Sequence, residues 1–153
     1  DLGLRFVKGL LARDFQDPIY WISNKSKEEL PELSANVDVI WGLNQYEMIK
    51  HMSKSKILLI PSSVLSFEAI ALRKPFYSGY FVQNQELNAK GLLKNMLAEG
   101  CKNLNTHKNF EEICDDLLNF YFNELKQHEI VLNQKKFIDG NSSLRLRKII
   151  KSL

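Results

Sequence analysis

The sequence predicts a doubly wound α/β domain, a parallel sheet covered by helices on both faces. Three observations predict it. Short apolar runs rich in β-branched and aromatic residues alternate with segments whose apolar residues recur every three to four positions. The run Lys56 to Pro61, KILLIP, is apolar on both faces, as a strand inside a parallel sheet must be. The connections are short, and alternation of this kind implies right-handed crossovers between parallel strands.

The elements follow in order. Leu2 to Phe15 places Leu4, Val7, Leu10 and Leu11 on one face and reads as an amphipathic helix. Ile19 to Ser23, just after Pro18, reads as a short buried strand. Ser26 to Leu33 reads as a helix opened by a capping box, with Ser26 as N-cap and Glu29 three residues on. Val37 to Trp41 is the second strand, and Tyr46 to Ser53 a helix that packs through Met48, Ile49 and Met52. KILLIP is the third strand. Val64 to Arg73 is a helix with Phe67, Ile70 and Ala71 inward, and Pro75 follows its end. Pro75 to Phe81 is the fourth strand. Asn84 to Gly100 reads as one helix with Gly100 at its C-cap, Phe110 to Phe122 as another, and Leu144 to Leu153 as the last. A fold of this kind places a first strand and a Gly-rich turn ahead of the opening helix. The chain starts at Asp1, so that strand is expected upstream, and residues 1–153 read as a single domain of a longer protein.

The bulk properties narrow the function. The net charge is +3, from 21 Lys and Arg against 18 Asp and Glu, with no basic run interleaved with aromatics, which argues against a nucleic-acid partner. The basic cluster Arg145, Arg147, Lys148 and Lys151 reads as a solvated helix face. No apolar run approaches the ~20 residues that span a bilayer. Cys101 and Cys114 have neither metal nor redox spacing, and a reduced cytoplasmic setting is expected. His51, His107 and His128 pair with no Ser or Cys nucleophile and join no metal cluster, so the residues show no triad and no metal site.

In an open parallel sheet, ligands sit beyond the carboxyl ends of the strands. KILLIP ends in Ser62 and Ser63, whose hydroxyls and following helix start suit a phosphate, or simply a helix cap. Glu68, a turn further on, could accept both hydroxyls of a ribose, or stand in solvent near the helix start. After the fourth strand, Val82 to Gln85 clusters amides at the same edge. Asn84 there is either an N-cap or a ligand for a neutral base or sugar, and Gln85 could face the cleft.

The stretch Met52 to Gly91 resembles the carboxyl-terminal domain of the UDP-sugar hydrolases of pseudaminic acid synthesis. That set is related to the spore-coat polysaccharide proteins and to the GT-B transferase that makes lipid II. The resemblance rests on Met52, Ile57 to Ile60, Ser62 and Ser63, Glu68 with Ala69 and Ala71, Phe76 to Phe81, and Asn84 with Gln85. The tail is similar to the family's Asp-Gly-x-Gly-x-x-Arg ending at Asp139, Gly140 and Arg145, with Ser142 in place of the second glycine. Val64 stands where the family has a small residue, and Asp1 and Leu2 fit just after its Gly-Gly-Ser-Asp turn.

The resemblance implies a Rossmann-like, GT-B carboxyl-terminal half whose ligand is UDP or a UDP-sugar. It implies that Ser63, Glu68, Asn84 and Gln85 contact the UDP, with Glu68 on the ribose and the Ser62–Ser63 turn on the diphosphate. It implies no cofactor, and a partner amino-terminal domain of the same protein, whose His activates water. This chain alone is then expected to bind UDP weakly and to turn nothing over. The alternatives are the donor-binding domain of a GT-B glycosyltransferase and a non-catalytic binding module of the same fold.

Overall fold

The computed structural model describes residues 2–25, 29–105 and 110–151. Asp1, Ser26 with which the expected capping box opens, His107 and Leu153 lie outside them. The order is α1 (Leu2–Leu11), β1 (Ile19–Ile22), β2 (Val37–Ile40), α2 (Gln45–Lys54), β3 (Leu58–Pro61), α3 (Val64–Ala71), β4 (Phe76–Tyr80), α4 (Gln83–Lys94), β5 (Glu99–Asn103), α5 (Phe110–Phe122), α6 (Glu124–Phe137) and α7 (Ser142–Lys151). The fold is α/β with parallel strands and helices between them, a Rossmann-like arrangement. The strands form two parallel ladders, β1–β2 and β3–β4–β5.

Alternating burial builds the core. Leu58 and Ile60 of β3 and Phe76 of β4 pack with Met52, Ala69, Ile70, Leu92 and Leu97 on one side. On the other side Tyr77 meets Phe6, Leu104, Ile113, Leu117 and Ile130. A third cluster seats Val7 of α1 against Trp21, Val37 and Val39. Gly3 is what lets α1 approach β1, because a Cβ there would lie 2.3 Å from Trp21 Nε1.

The structure differs from these expectations in five places. Residues 31–34 carry no helix: Pro31 biases Leu30 away from helical backbone, so the helix expected over Ser26–Leu33 does not run to its end. The expected helix Asn84–Gly100 stops at Lys94, where Asn95 caps it and Met96 takes a φ of 51°. Chain then returns to the sheet as β5. Gly100 lies in that strand at φ +85°, opposite Ser78, where the register shifts by one residue. The segment between Phe122 and Leu144, unassigned from sequence, contains α6, whose inward residues are Gln127, Ile130 and Gln134. On α3 the buried residues are Ser66, Ala69 and Ile70, while Phe67 and Ala71 face outward. On α2, Met52 is buried and Ile49 is exposed.

Candidate functional site

β3 and β4 are neighbours in parallel register, Pro61 opposite Gly79. Their carboxyl ends therefore deliver α3 and α4 to the same edge of the sheet. The Ser62 amide donates to Gly79 O at 2.8 Å, extending the ladder one residue past β3. The Ser62 hydroxyl is buried, 2.8 Å from Ser78 Oγ and 2.9 Å from Gly79 O. Ser78 in turn reaches Ile60 O. Ser62 thus holds the turn from inside the sheet, and its hydroxyl does not face solvent.

Ser63 occupies the N-cap position of α3 with extended backbone, but its side chain makes no capping bond. Its carbonyl accepts from Ser66 Oγ at 2.5 Å. The N-cap of α4 is Val82, which has no side chain able to cap, and Asn84 lies exposed within the first turn. Asn84 is thus not the cap. Gln85 Oε1 accepts from the Phe81 amide at 3.1 Å, binding the end of β4 to the helix it feeds and leaving the Gln85 amide nitrogen to other partners. Both helices consequently start without a side-chain cap; the Ser66 and Gln85 amides turn back to Ser63 O and Val82 O, and the amides of Val64, Leu65, Gln83 and Asn84 are the ones a helix start offers to an anion.

Glu68 is half-buried on α3, off the face formed by Ser66, Ala69 and Ile70, and makes no ion pair or side-chain hydrogen bond among the described residues. Val64, the first residue of α3, is 74% exposed.

Sequence reasoning passed over Asn88. Its Nδ2 donates to Ser62 O at 2.9 Å, fastening α4 to the β3 turn. Asn105, beyond β5, donates to Phe81 O at 3.0 Å and closes the next loop onto the same edge. Asn88 stands four residues after Asn84, but nothing in that spacing distinguishes a tether from a solvated asparagine.

The tail residues bond to each other. Arg145 Nη1 lies 2.7 Å from Asp139 Oδ2, and the Asn141 amide donates to Oδ1. Arg145 first, then the Asn141 backbone, holds the Asp139 carboxyl far below the usual carboxylate range.

Among the described residues no group of three or more His, Cys, Asp or Glu could hold a metal, Cys101 and Cys114 are free, and the His51 ring lies tilted against Tyr20. No described helix is long and apolar enough to cross a membrane. A separate groove of about 790 Å³ lies between β1 and β3. Pro61 and Leu65 reach it, but Ser62, Ser63, Glu68, Asn84 and Gln85 do not line it. The chain matches no model of a known protein family and no curated protein.

Proposed function

We propose that the β3–β4 edge binds the UDP moiety of a UDP-sugar, as the donor half of a GT-B-type enzyme of the pseudaminic-acid hydrolase kind. The observation that carries this reading is the pair of uncapped helix starts, α3 and α4, set side by side at the carboxyl ends of neighbouring parallel strands. Two such starts direct N–H groups and positive dipole ends at one place, which suits a diphosphate. The uncommitted Glu68 carboxylate is an acceptor for both ribose hydroxyls. The side-chain amides of Asn84 and Gln85 offer donors and acceptors to an uncharged base. Ser63 contributes its free hydroxyl at the phosphate position, and Ser62 holds the turn in shape.

The chemistry would be displacement of UDP from the anomeric carbon by water. This edge orients the leaving group and stabilises its charge, and the general base comes from a partner domain. Calorimetric titration of UDP into the chain tests the reading. A weak, saturable heat that is lost in Glu68→Ala is expected. Equal heats from the two proteins remove Glu68 from the site, and no heat from either removes the site.

A further inference from the structure

The two ladders present their open edges to the same groove. Ile19 and Ser23 donate their amides to β2, at Asn36 O and Ile40 O. Successive peptide groups in a strand point to opposite sides, so the amides and carbonyls of Tyr20 and Ile22 point away from β2. Leu58 and Ser62 donate to β4, at Pro75 O and Gly79 O. By the same alternation, the N–H and C=O of Leu59 point away from β4, and Pro61 adds a carbonyl on that side. Neither edge pairs with any strand among the described residues.

The groove between these edges is built like the interior of a sheet. Its volume is about 790 Å³, and β1 and β3 form its two sides. Phe6 and Val7 of α1, with Leu117 of α5, line it together with Met48 and Met52 of α2. Helices of both layers therefore border one gap whose sides are unpaired backbone. Open ladder edges beside apolar walls are costly unless another strand completes them.

The topology names the occupant. Within each ladder the strands are parallel, and α1 lies against β1, with Gly3 closing onto Trp21. A strand leading directly into α1, followed by β1, makes a right-handed βαβ unit when both strands lie in the same sheet, and sequential strands of such a unit are usually neighbours. The groove is the position next to β1 that β2 does not take.

We infer that this groove is the seat of a sixth, central parallel strand, contributed by the polypeptide that leads into α1 upstream of Asp1. The strand runs in the same direction as β1 and β3 and joins the two ladders into one sheet in the order β2, β1, the added strand, β3, β4, β5. β1 and β3 are each four residues long, so the insert needs about four to five residues, ~13–17 Å. Both of its faces meet apolar side chains, so it is hydrophobic throughout and not alternating. Its carboxyl end turns into α1 at the same edge as the Ser62 turn, adding a third helix start there. The inference rests on the ladders and stands whether or not that edge binds a nucleotide.

Amide hydrogen exchange tests it, comparing residues 1–153 with the chain extended by its own preceding residues. In residues 1–153 the amides of Tyr20, Ile22 and Leu59 should exchange freely while those of Ile19, Trp21 and Leu58 are protected. In the extended chain the first three should slow by at least about a hundredfold. The preceding residues supplied as a free peptide to residues 1–153 provide a second arm, with protection at the same three amides. Failure of both the extension and the peptide to protect them overturns the inference. So does their protection in residues 1–153 alone, whether monomeric or, by light scattering, dimeric, which would put a second copy in the groove.

Discussion

The Asn88 side-chain amide lies 2.9 Å from the carbonyl oxygen of Ser62, and this single bond couples the second turn of α4 to the turn that ends β3. The two helix starts are thereby held as one surface. Asn88→Ala should cost about 1 kcal/mol of stability, the usual worth of such a bond. It should also weaken UDP binding several-fold although Asn88 is assigned no contact with the nucleotide. Urea unfolding and UDP titration on the same protein check both. Unchanged affinity would show that the tether has no part in the site.

Gly100 and Gly91 make a matched pair. Gly100 sits at φ +85° in β5, and a Cβ there would lie 2.4 Å from Ser78 O and 2.6 Å from the Tyr77 ring. Gly91 is inside α4 with nothing within 4 Å of the added carbon. Gly100→Ala should therefore cost more than about 2 kcal/mol, through strained backbone and overlap. Gly91→Ala should stabilise by about 0.5–1 kcal/mol, because alanine favours helix and narrows the unfolded ensemble. Denaturant midpoints of the two variants should move in opposite directions.

Gln134 is the polar keystone under α6. Its buried Nε2 donates at 2.9 Å to both Lys74 O and Leu97 O, joining the segments that precede β4 and β5. Arg73 adds bonds to Gln134 O and Ile138 O. Gln134→Leu fills the space but orphans two carbonyls, with an expected loss of about 2–4 kcal/mol. A loss under 0.5 kcal/mol in thermal or urea unfolding would contradict this assignment.

Alkaline pH should destabilise the domain. Burial pushes the Cys114 thiol from its ordinary 9.0 to about 11. Burial first, then the 2.6 Å bond to Asp17, pushes Tyr121 to about 12. The unfolded chain releases these protons at lower pH than the folded one. Stability from both groups is thus fully present below pH 9 and falls as pH rises, through 9 to 11 for the thiol and 10 to 12 for the phenol. Urea midpoints should decline over that interval. In Cys114→Ala the decline between pH 9 and 11 should shrink. At pH 8 a thiol reagent should modify the half-exposed Cys101 ahead of Cys114.

The fold was legible where apolar period and burial agree. KILLIP, Pro75 to Phe81 and Phe110 to Phe122 read as two strands and a helix, and the structure has β3, β4 and α5 there. What escaped was polar or locally unusual. The inward face of α6 is half glutamine, so no apolar stripe marks it. The Leu92–Leu97 run keeps helical spacing across the Met96 turn, and Gly100 reads as a cap although its reason is the approach of Ser78 and Tyr77. At the candidate site, the edge itself followed from strand order. The inward rotation of Ser62 and the role of Asn88 did not, since both depend on which hydroxyl or carbonyl the fold brings near.

Amide chemical shifts during a UDP titration read the proposed nucleotide site residue by residue. If the β3–β4 edge is the nucleotide site, the amides of Val64, Leu65, Gln83 and Asn84 should shift together and saturate at one UDP concentration. Saturating UDP that leaves these four amides in place, or moves only residues far from them, would contradict it.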